Sequence, residues 1–374
     1  MSPHSSHARS FKATLEQGDS YSITIGCDIQ KETIEILRRE AGSRRIAVIA
    51  DSATGHIWKD KLMDKMASPG LSAGLYEFPA GEINKNQEEV TRLQQTLHNE
   101  NYGRDTLIVA FGGGVVGDVA GFVAATYMRG LPWVNIPTTV LAMVDSSIGG
   151  KVGIDTPYGK NMVGAFWPPR AVIMDLAYLA KLPSREIING LFEAMKTFLT
   201  SDAAALQPVL SLNLQNPLQD LTMLEDIIYA SVKFKAQLTE RDPLEENERK
   251  IINFGHTIGH AIELLSHYTL PHGYAVAYGM LAEAKISELC GVLSQSDCAE
   301  VFRTLEYFGI KPADFPQYPI EDIIKATRGD KKVRGGVPHY VLLESIGSVC
   351  KKDGKFAHPV KDEIVKNALL SVTS

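Results

Sequence analysis

Two histidines four residues apart, His256 and His260, sit in the apolar run Ile252-Asn253-Phe254-Gly255-His256-Thr257-Ile258-Gly259-His260-Ala261-Ile262-Glu263. On a helix that spacing sets both imidazoles on one face. A third, His272, follows in Leu270-Pro271-His272-Gly273. Neutral imidazole is a common ligand for zinc-type metals, so the three histidines point to a metal or phosphate site. The same spacing fits an ordinary helix with two polar residues near a domain surface, and histidines alone leave both readings open. Glu193 stands three residues before Lys196 in Gly190-Leu191-Phe192-Glu193-Ala194-Met195-Lys196. As a fragment this is an i,i+3 ion pair. If Glu193 meets the histidines, a carboxylate and two imidazoles make an open zinc site with room for a substrate oxygen.

A second kind of chemistry is signalled by glycine. Gly112-Gly113-Gly114-Val115-Val116-Gly117-Asp118 follows the apolar run Thr106–Phe111 and opens a helical stretch. Glycines 112, 114 and 117 satisfy GxGxxG, which lets backbone approach a pyrophosphate at a helix N-terminus. The dinucleotide fingerprint also expects an acid about 20 residues on; here Pro137-Thr138-Thr139 occupies that point. Asp51, ending an earlier strand, is the better partner for a ribose hydroxyl. A tight strand-to-helix turn is the plainer alternative. No GK[ST] follows, which excludes a P-loop here.

Asp145 to Asp155 and Gly159 to Gly164 form a Gly/Lys-rich stretch containing Lys151 and Lys160. It suits an anionic ligand or a solvated surface loop. Lys235, Arg249 and Asn253 precede His256, and Asp330-Lys331-Lys332 adds late basic residues; taken singly, each lysine is a solvated surface group.

These residues need elements to position them. With 374 residues, 44% of them hydrophobic, the chain is long for one core and two domains are expected. The net charge of -6 and the lack of a long basic run argue against nucleic acid as a partner. Four cysteines without a CxxC pair indicate free thiols in a reducing compartment. No secretory signal is visible at the N-terminus. The most apolar run, 107–125, is broken by Asp118 and glycines, which argues against a membrane span.

Strand-like runs at Tyr21–Ile25, Arg45–Ala50, Thr106–Phe111 and Trp133–Ile136 alternate with helical ones at Gln30–Glu40 and Gln87–Glu100. This predicts an α/β N-terminal domain, residues 1–176, with a mainly parallel sheet covered on both faces. Beyond Asp175 helical periodicity dominates, at Ser184–Thr200, Leu221–Glu240, Ile252–Ser266, Ala275–Cys290 and Ser296–Phe308. It predicts a mostly α-helical C-terminal domain, 177–374, with the active site in the cleft between the two. Arg334 to Val337 suggests a hairpin turn before a strand at Tyr340–Leu343.

In this order the segments resemble the dehydroquinate synthase family, within the sugar phosphate cyclases. The resemblance runs from Gly81-Glu82 to Leu343. It is carried by Gly81-Glu82-Ile83-Asn84-Lys85, Gly114 to Asp118, Pro137-Thr138-Thr139, Asp145 to Gly153, Lys160 to Phe166 and Asn253 to Glu263. It implies a cytoplasmic enzyme, usually a homodimer, with bound NAD and one Zn(2+), Co(2+) being an alternative. The implied reaction converts 3-deoxy-D-arabino-heptulosonate 7-phosphate to 3-dehydroquinate and phosphate in the shikimate pathway of aromatic amino acid and chorismate biosynthesis, a carbon–oxygen lyase step.

The resemblance assigns the metal to Glu193, His256 and His272. It moves His260 to proton transfer near the substrate phosphate. NAD contacts fall on Asp51, Glu82, Lys85, Gly114, Gly117, Asp118, Thr138 and Thr139, with Lys151 and Lys160 close by. Substrate contacts fall on Arg129, Asp145, Lys160 and Asn161, and the catalytic set is Lys151, Lys196, Lys235, Arg249, Asn253 and His260, with a late lysine at Lys331 or Lys332. In the implied chemistry, oxidation of a ring carbinol acidifies the neighbouring proton, phosphate leaves, the hydride returns, and the ring reopens and closes by an aldol step. Two positions depart from the family pattern. Tyr274 replaces a usual glutamate beside His272, and Lys181 replaces a usual threonine near the cofactor. A related cyclase acting on sedoheptulose 7-phosphate or an amino-substituted substrate is the alternative, and Asn161-Met162 and Arg249 favour the heptulosonate.

Overall fold

The computed structural model describes residues 8–14, 20–67, 71–328 and 337–373. The chain divides into two compact units, Met1–Pro183 and Ser184–Ser374. The short helical turn Leu176–Lys181 thus belongs with the first unit, where Tyr178 is buried beneath the sheet edge-on to Phe111 and Trp58.

In the first unit the elements run β1 (Arg9–Thr14), β2 (Ser20–Gly26), α1 (Gln30–Ala41), β3 (Arg45–Asp51), α2 (Ser52–Met66), β4 (Ala73–Phe78), α3 (Gln87–Asn99), β5 (Thr106–Gly112), α4 (Gly114–Thr126), β6 (Trp133–Pro137), β7 (Lys151–Thr156), β8 (Gly159–Phe166) and β9 (Ala171–Asp175). Every residue of β5, β6 and β9 is buried, as expected of strands sandwiched between helices. The two-residue period divides their side chains. Ile46, Val48, Ala50, Leu107 and Val109 pack with Ile36, Leu37 and Leu62 from α1 and α2. Ala47, Ile49, Ile108 and Ala110 pack on the other face with Val90, Leu93 and Val119 from α3 and α4.

The strand order is β1-β2-β9-β6-β5-β3-β4, parallel throughout except for the antiparallel edge pair β1–β2. From β3 the chain passes to β4 on one side, then returns to β5 on the other. That reversal opens a crevice at the C-terminal ends of β3 and β5, the usual ligand position in such sheets. The Gly/Lys-rich stretch is an antiparallel hairpin, β7–β8, docked on α4. A Cβ at Gly121 would collide with Val152, so the close approach requires glycine there. The α2 helix and the central strand β9 lay outside the sequence expectations. The first has little amphipathic signal, and the second is only five residues long.

The second unit is helical: α5 (Ser184–Ser201), α6 (Leu206–Leu210), α7 (Leu221–Arg241), α8 (His256–Leu265), α9 (His272–Leu289), α10 (Gln295–Tyr307), α11 (Ile320–Thr327) and α12 (Asp362–Thr373). Asp220 and Ser294 cap α7 and α10 by accepting from Met223 N and Asp297 N. The expected helix at Ile252 begins instead at His256. A short 3-10 turn, Glu248–Asn253, comes first, and Gly255 at φ 78 breaks the path between them. Short strands follow at His339–Tyr340 and Leu343–Ser345. Of the expected turn at 334–337, residues 334–336 lie outside the described residues, as do Lys331 and Lys332.

Helices α8 and α9 cross with almost no side-chain spacing. A Cβ on Gly259 would sit 2.9 Å from Val276 Cα and 3.0 Å from Ala275 O, and one on Gly279 would press into the Gly255 carbonyl. Small residues at this crossing let the backbones approach and set His272 opposite His256 and His260.

Candidate active site

In the second unit three ligand atoms face one another. Glu193, on α5, holds its Oε1 3.7 Å from Nε2 of His256 and 3.7 Å from Nε2 of His272. Ligand bonds of about 2.0–2.2 Å to a tetrahedral metal set neighbouring donors roughly 3.3–3.6 Å apart, so a small adjustment would close this set around an ion. Glu193 Oε2 accepts from Lys196 Nζ, while Oε1 is buried with no hydrogen-bond partner among the described residues. A buried carboxylate oxygen without a partner is costly, about 1–3 kcal/mol or more. A cation at this point removes that cost, so the donor set fits a metal.

The outer nitrogens of both imidazoles are engaged. His256 Nδ1 lies 3.3 Å from Phe254 O, and His272 Nδ1 lies 3.2 Å from Glu263 Oε2. Both contacts favour a proton on Nδ1 and a lone pair on Nε2, the tautomer that a metal needs. The ligating atoms of His256, His260 and His272 also lie within 4.8 Å of one another. The geometry therefore offers two triads sharing His256 and His272. The partnerless Glu193 Oε1 favours the one that includes the carboxylate.

One cation, Lys196, pairs with Glu193 at this cluster. Lys196, Lys235 and Arg249 are all buried in this unit, which corrects the reading of Lys235 as a solvated surface group. Arg249 Nη1 donates to Pro243 O at 2.9 Å, while Arg249 Nε is buried without a partner among the described residues. A buried guanidinium with an unused donor suits an anionic group. Its loop is organised by Asp242, which accepts from the backbone N–H groups of Glu246, Asn247 and Arg249. Burial tends to raise the Asp242 carboxyl, but those N–H groups outweigh it and hold it below its ordinary range. Asn253 Nδ2 donates to Glu245 Oε1 at 2.7 Å, and Glu245 adopts a left-handed φ of 58.

Three further residues carry the frame, and none was singled out in the sequence. Glu283 is fully buried and accepts from Gly255 N (2.8 Å) and Ile258 N (3.1 Å), capping the start of α8 just where His256 begins it. Asn189 Oδ1 accepts from Gly273 N at 2.9 Å and fixes the start of α9 beside His272. Glu263 lies seven residues after His256 on the same helical face, a spacing visible in the sequence. Tyr274 packs edge-on to Phe192 at 5.1 Å with the Arg185 guanidinium over its ring, so the carboxylate at His272 comes from Glu263 instead.

In the first unit the predicted cofactor residues gather at the strand ends. Gly112 pairs with Pro137, and Thr138 N donates to Gly112 O at 2.9 Å. Thr139 Oγ1 accepts from Ala142 N at 3.1 Å. Gly113 precedes α4 without a capping side chain, and Gly114 and Gly117 form its first turn, leaving glycine backbone at a positive helix end. Asp51 ends β3 and accepts from Thr54 N at 2.7 Å, capping α2.

Beside them lies a polar network. Lys85 is buried and pairs with Asp118 Oδ2 at 2.6 Å, with Glu82 Oε1 at 3.9 Å and with the Asn161 side-chain oxygen. Lys160 meets Glu82 Oε1 at 3.2 Å. Burial alone would lower the Lys85 pKa, but Asp118, Glu82 and Asp155 outweigh it and push it up. Burial also raises the Asp118 carboxyl against the pull of Lys85, with Glu82 and Asp145 adding to the rise. Asp155, missed in the sequence reading, accepts from Asn161 N at 2.8 Å and donates its own N–H to Lys85 O at 2.8 Å, pinning the hairpin to this network. Lys151 is exposed at the start of β7. Arg129 is exposed too, and follows Met128 in left-handed backbone (φ 67 and 50). Lys181 is exposed at the end of its helical turn.

A doubly wound sheet with a glycine turn at its reversal point, joined to a helical unit with a carboxylate–imidazole cluster, defines a two-unit protein of dinucleotide and metal type. Residues 75–189 match the family model for the N-terminal part of 3-dehydroquinate synthase, and residues 190–333 match the model for its C-terminal part. The chain belongs to the 3-dehydroquinate synthase family. The 3-dehydroquinate synthase of Desulforamulus reducens is 39% identical over 333 residues, 88% of this chain and 92% of that protein. That of Geobacter metallireducens is 38% identical over 343 residues, covering 89% and 93%. Among solved structures, 2-deoxy-scyllo-inosose synthase complexed with carbaglucose-6-phosphate, NAD+ and Co2+ has a TM-score of 0.88 at 26% identity, covering 96% of this chain and 99% of that one. A 2-epi-5-epi-valiolone synthase from Streptomyces hygroscopicus, with NAD+ and Zn2+ bound, shares the fold with a TM-score of 0.84 at 24% identity, over 95% and 97% of the two chains. Among the described residues no helix is long and apolar enough to cross a membrane.

Proposed function

We propose that this chain is a 3-dehydroquinate synthase: it converts 3-deoxy-D-arabino-heptulosonate 7-phosphate to 3-dehydroquinate and inorganic phosphate, using NAD and a divalent metal. The observation that carries the reading is the partnerless Glu193 Oε1 facing two imidazole Nε2 atoms, with Lys196 and Arg249 buried in the same unit. Relatives bearing this name at 38–39% identity over most of the chain support it. The lyase class, a homodimeric state and a cytoplasmic location are part of the same proposal and follow the family resemblance.

Glu193, His256 and His272 would hold zinc or cobalt. Asp51, Glu82, Lys85, Gly114, Gly117, Asp118, Thr138 and Thr139 would hold NAD. When bound, NAD supplies a hydride acceptor and donor, and the metal supplies a Lewis acid for substrate oxygens. The chain's own residues do the placement. Lys196, Lys235 and Arg249 neutralise phosphate and carboxylate from buried positions, where charge pairing is strongest. Lys151, Lys160, Asn161, Arg129 and Asp145 complete the substrate contacts, with Asn253 orienting a hydroxyl. His260 stands beside the two ligand imidazoles, at 5.1 Å between ring centres from His256, and serves proton transfer near the phosphate. The substrate's own phosphate can accept the proton lost in elimination, so no further protein base is required.

The test is phosphate release from purified protein with NAD, zinc and the heptulosonate phosphate. Release from sedoheptulose 7-phosphate and none from the heptulosonate would refute the substrate and favour the alternative cyclase reading.

A further inference from the structure

We infer that Glu263 is the positioning residue of the metal centre: its carboxylate holds the His272 imidazole by Nδ1 and so aims Nε2 at Glu193. This rests on the proposed role of Glu193, His256 and His272 and deepens it. Glu263 is 3% exposed, and its Oε2 lies 3.2 Å from His272 Nδ1. On the far side of the same ring, Nε2 lies 3.7 Å from Glu193 Oε1. The imidazole is thus strung between two buried carboxylates, one on α5 and one on α8, although it comes from α9. A proton on Nδ1 satisfies Glu263 and leaves the Nε2 lone pair directed at the metal point. Tyr274, two residues along α9, packs against Phe192 and Arg185 and leaves this task to Glu263.

The burial also argues for the assignment. A buried carboxylate is retained where a donor meets it, and the imidazole N–H is such a donor. His256 is held by a neutral carbonyl, Phe254 O, so the two ligand histidines differ. His272 is held by an anion, which fixes its ring orientation and its tautomer.

The experiment uses the full chain with NAD, comparing wild type with Glu263→Gln and Glu263→Leu. Zinc affinity is measured by chelator competition, and the d–d absorption spectrum is recorded on the cobalt-substituted protein. Glu263→Gln keeps an acceptor for Nδ1–H but loses the charge. Glu263→Leu leaves Nδ1–H without an acceptor. Metal affinity should fall by about 10-fold for Gln and towards 100-fold for Leu, with a shifted cobalt spectrum and NAD affinity unchanged. Wild-type zinc affinity and an unchanged cobalt spectrum in Glu263→Gln would overturn the inference while the metal centre stood. Failure of the wild type to bind one equivalent of zinc or cobalt would overturn the metal centre itself, and this inference with it.

Discussion

Glu283→Gln is the sharpest perturbation of the frame that presents His256. The side chain is fully buried, and its two oxygens accept from Gly255 N at 2.8 Å and Ile258 N at 3.1 Å. Hydrogen bonds to a charged acceptor contribute about 1.5–3 kcal/mol each. An anion at a helix N-terminus adds up to about 2 kcal/mol when partly buried. Glutamine keeps one acceptor, turns an NH2 group toward the other backbone N–H and removes the charge. Its easier desolvation offsets part of the loss, so the net cost is about 2–4 kcal/mol. Because the chain has two compact units, a local readout is cleaner than a single melting temperature. Amide exchange at Gly255 and Ile258, under conditions where α8 opens locally, should accelerate by roughly 30-fold to 1,000-fold. Zinc affinity should fall in parallel, since His256 is the first residue of α8. Equal protection of both amides in the variant, with unchanged zinc affinity, would refute the capping argument.

Three further outcomes are expected. His256→Ala reduces three protein ligands to two, so bound metal and turnover should both be lost; stoichiometric zinc in the variant, measured by elemental analysis, contradicts the assignment. Gly114→Val adds a Cβ 3.1 Å from Ser146 Oγ and crowds the helix start where a pyrophosphate would approach; a steric penalty of about 1–3 kcal/mol should weaken NAD binding on the order of 10- to 100-fold in a fluorescence titration, and wild-type affinity would move the cofactor elsewhere. For Asp242, the folded-state pKa is depressed, so its stabilisation is present above the unfolded value of about 3.9 and is lost as pH falls through the lower folded value. Asp242→Asn should therefore be less stable than wild type at neutral pH, with the gap closing in acid below about pH 4; a gap that stays constant into strong acid counts against the Asp242 network.

Short-range pattern made most of the framework legible. Continuous apolar runs gave β3, β5 and β6, because a strand buried on both faces has no polar side to alternate. Helical periodicity gave α5, α7 and α10, and the glycine turn after Thr106–Phe111 marked the nucleotide end of the sheet. The start of α8 shifted by four residues because Gly255 adopts a left-handed φ that periodicity does not encode. The Gly/Lys-rich stretch became a hairpin because Gly121 admits Val152 against α4, a contact between segments far apart in sequence.

By itself the sequence determined which side chains were available: one i,i+4 histidine pair, a third histidine beyond a proline, an acid before a lysine, and lysines set among glycines. Residue type and local spacing follow from covalent connectivity. Tertiary structure alone decided which oxygen of Glu193 is spoken for by Lys196 and which faces His256 and His272. It likewise decided that Glu263, not residue 274, holds His272. Such pairings depend on where α5, α8 and α9 cross, and the crossing is set by the glycines that let those backbones touch, which no one-dimensional period records.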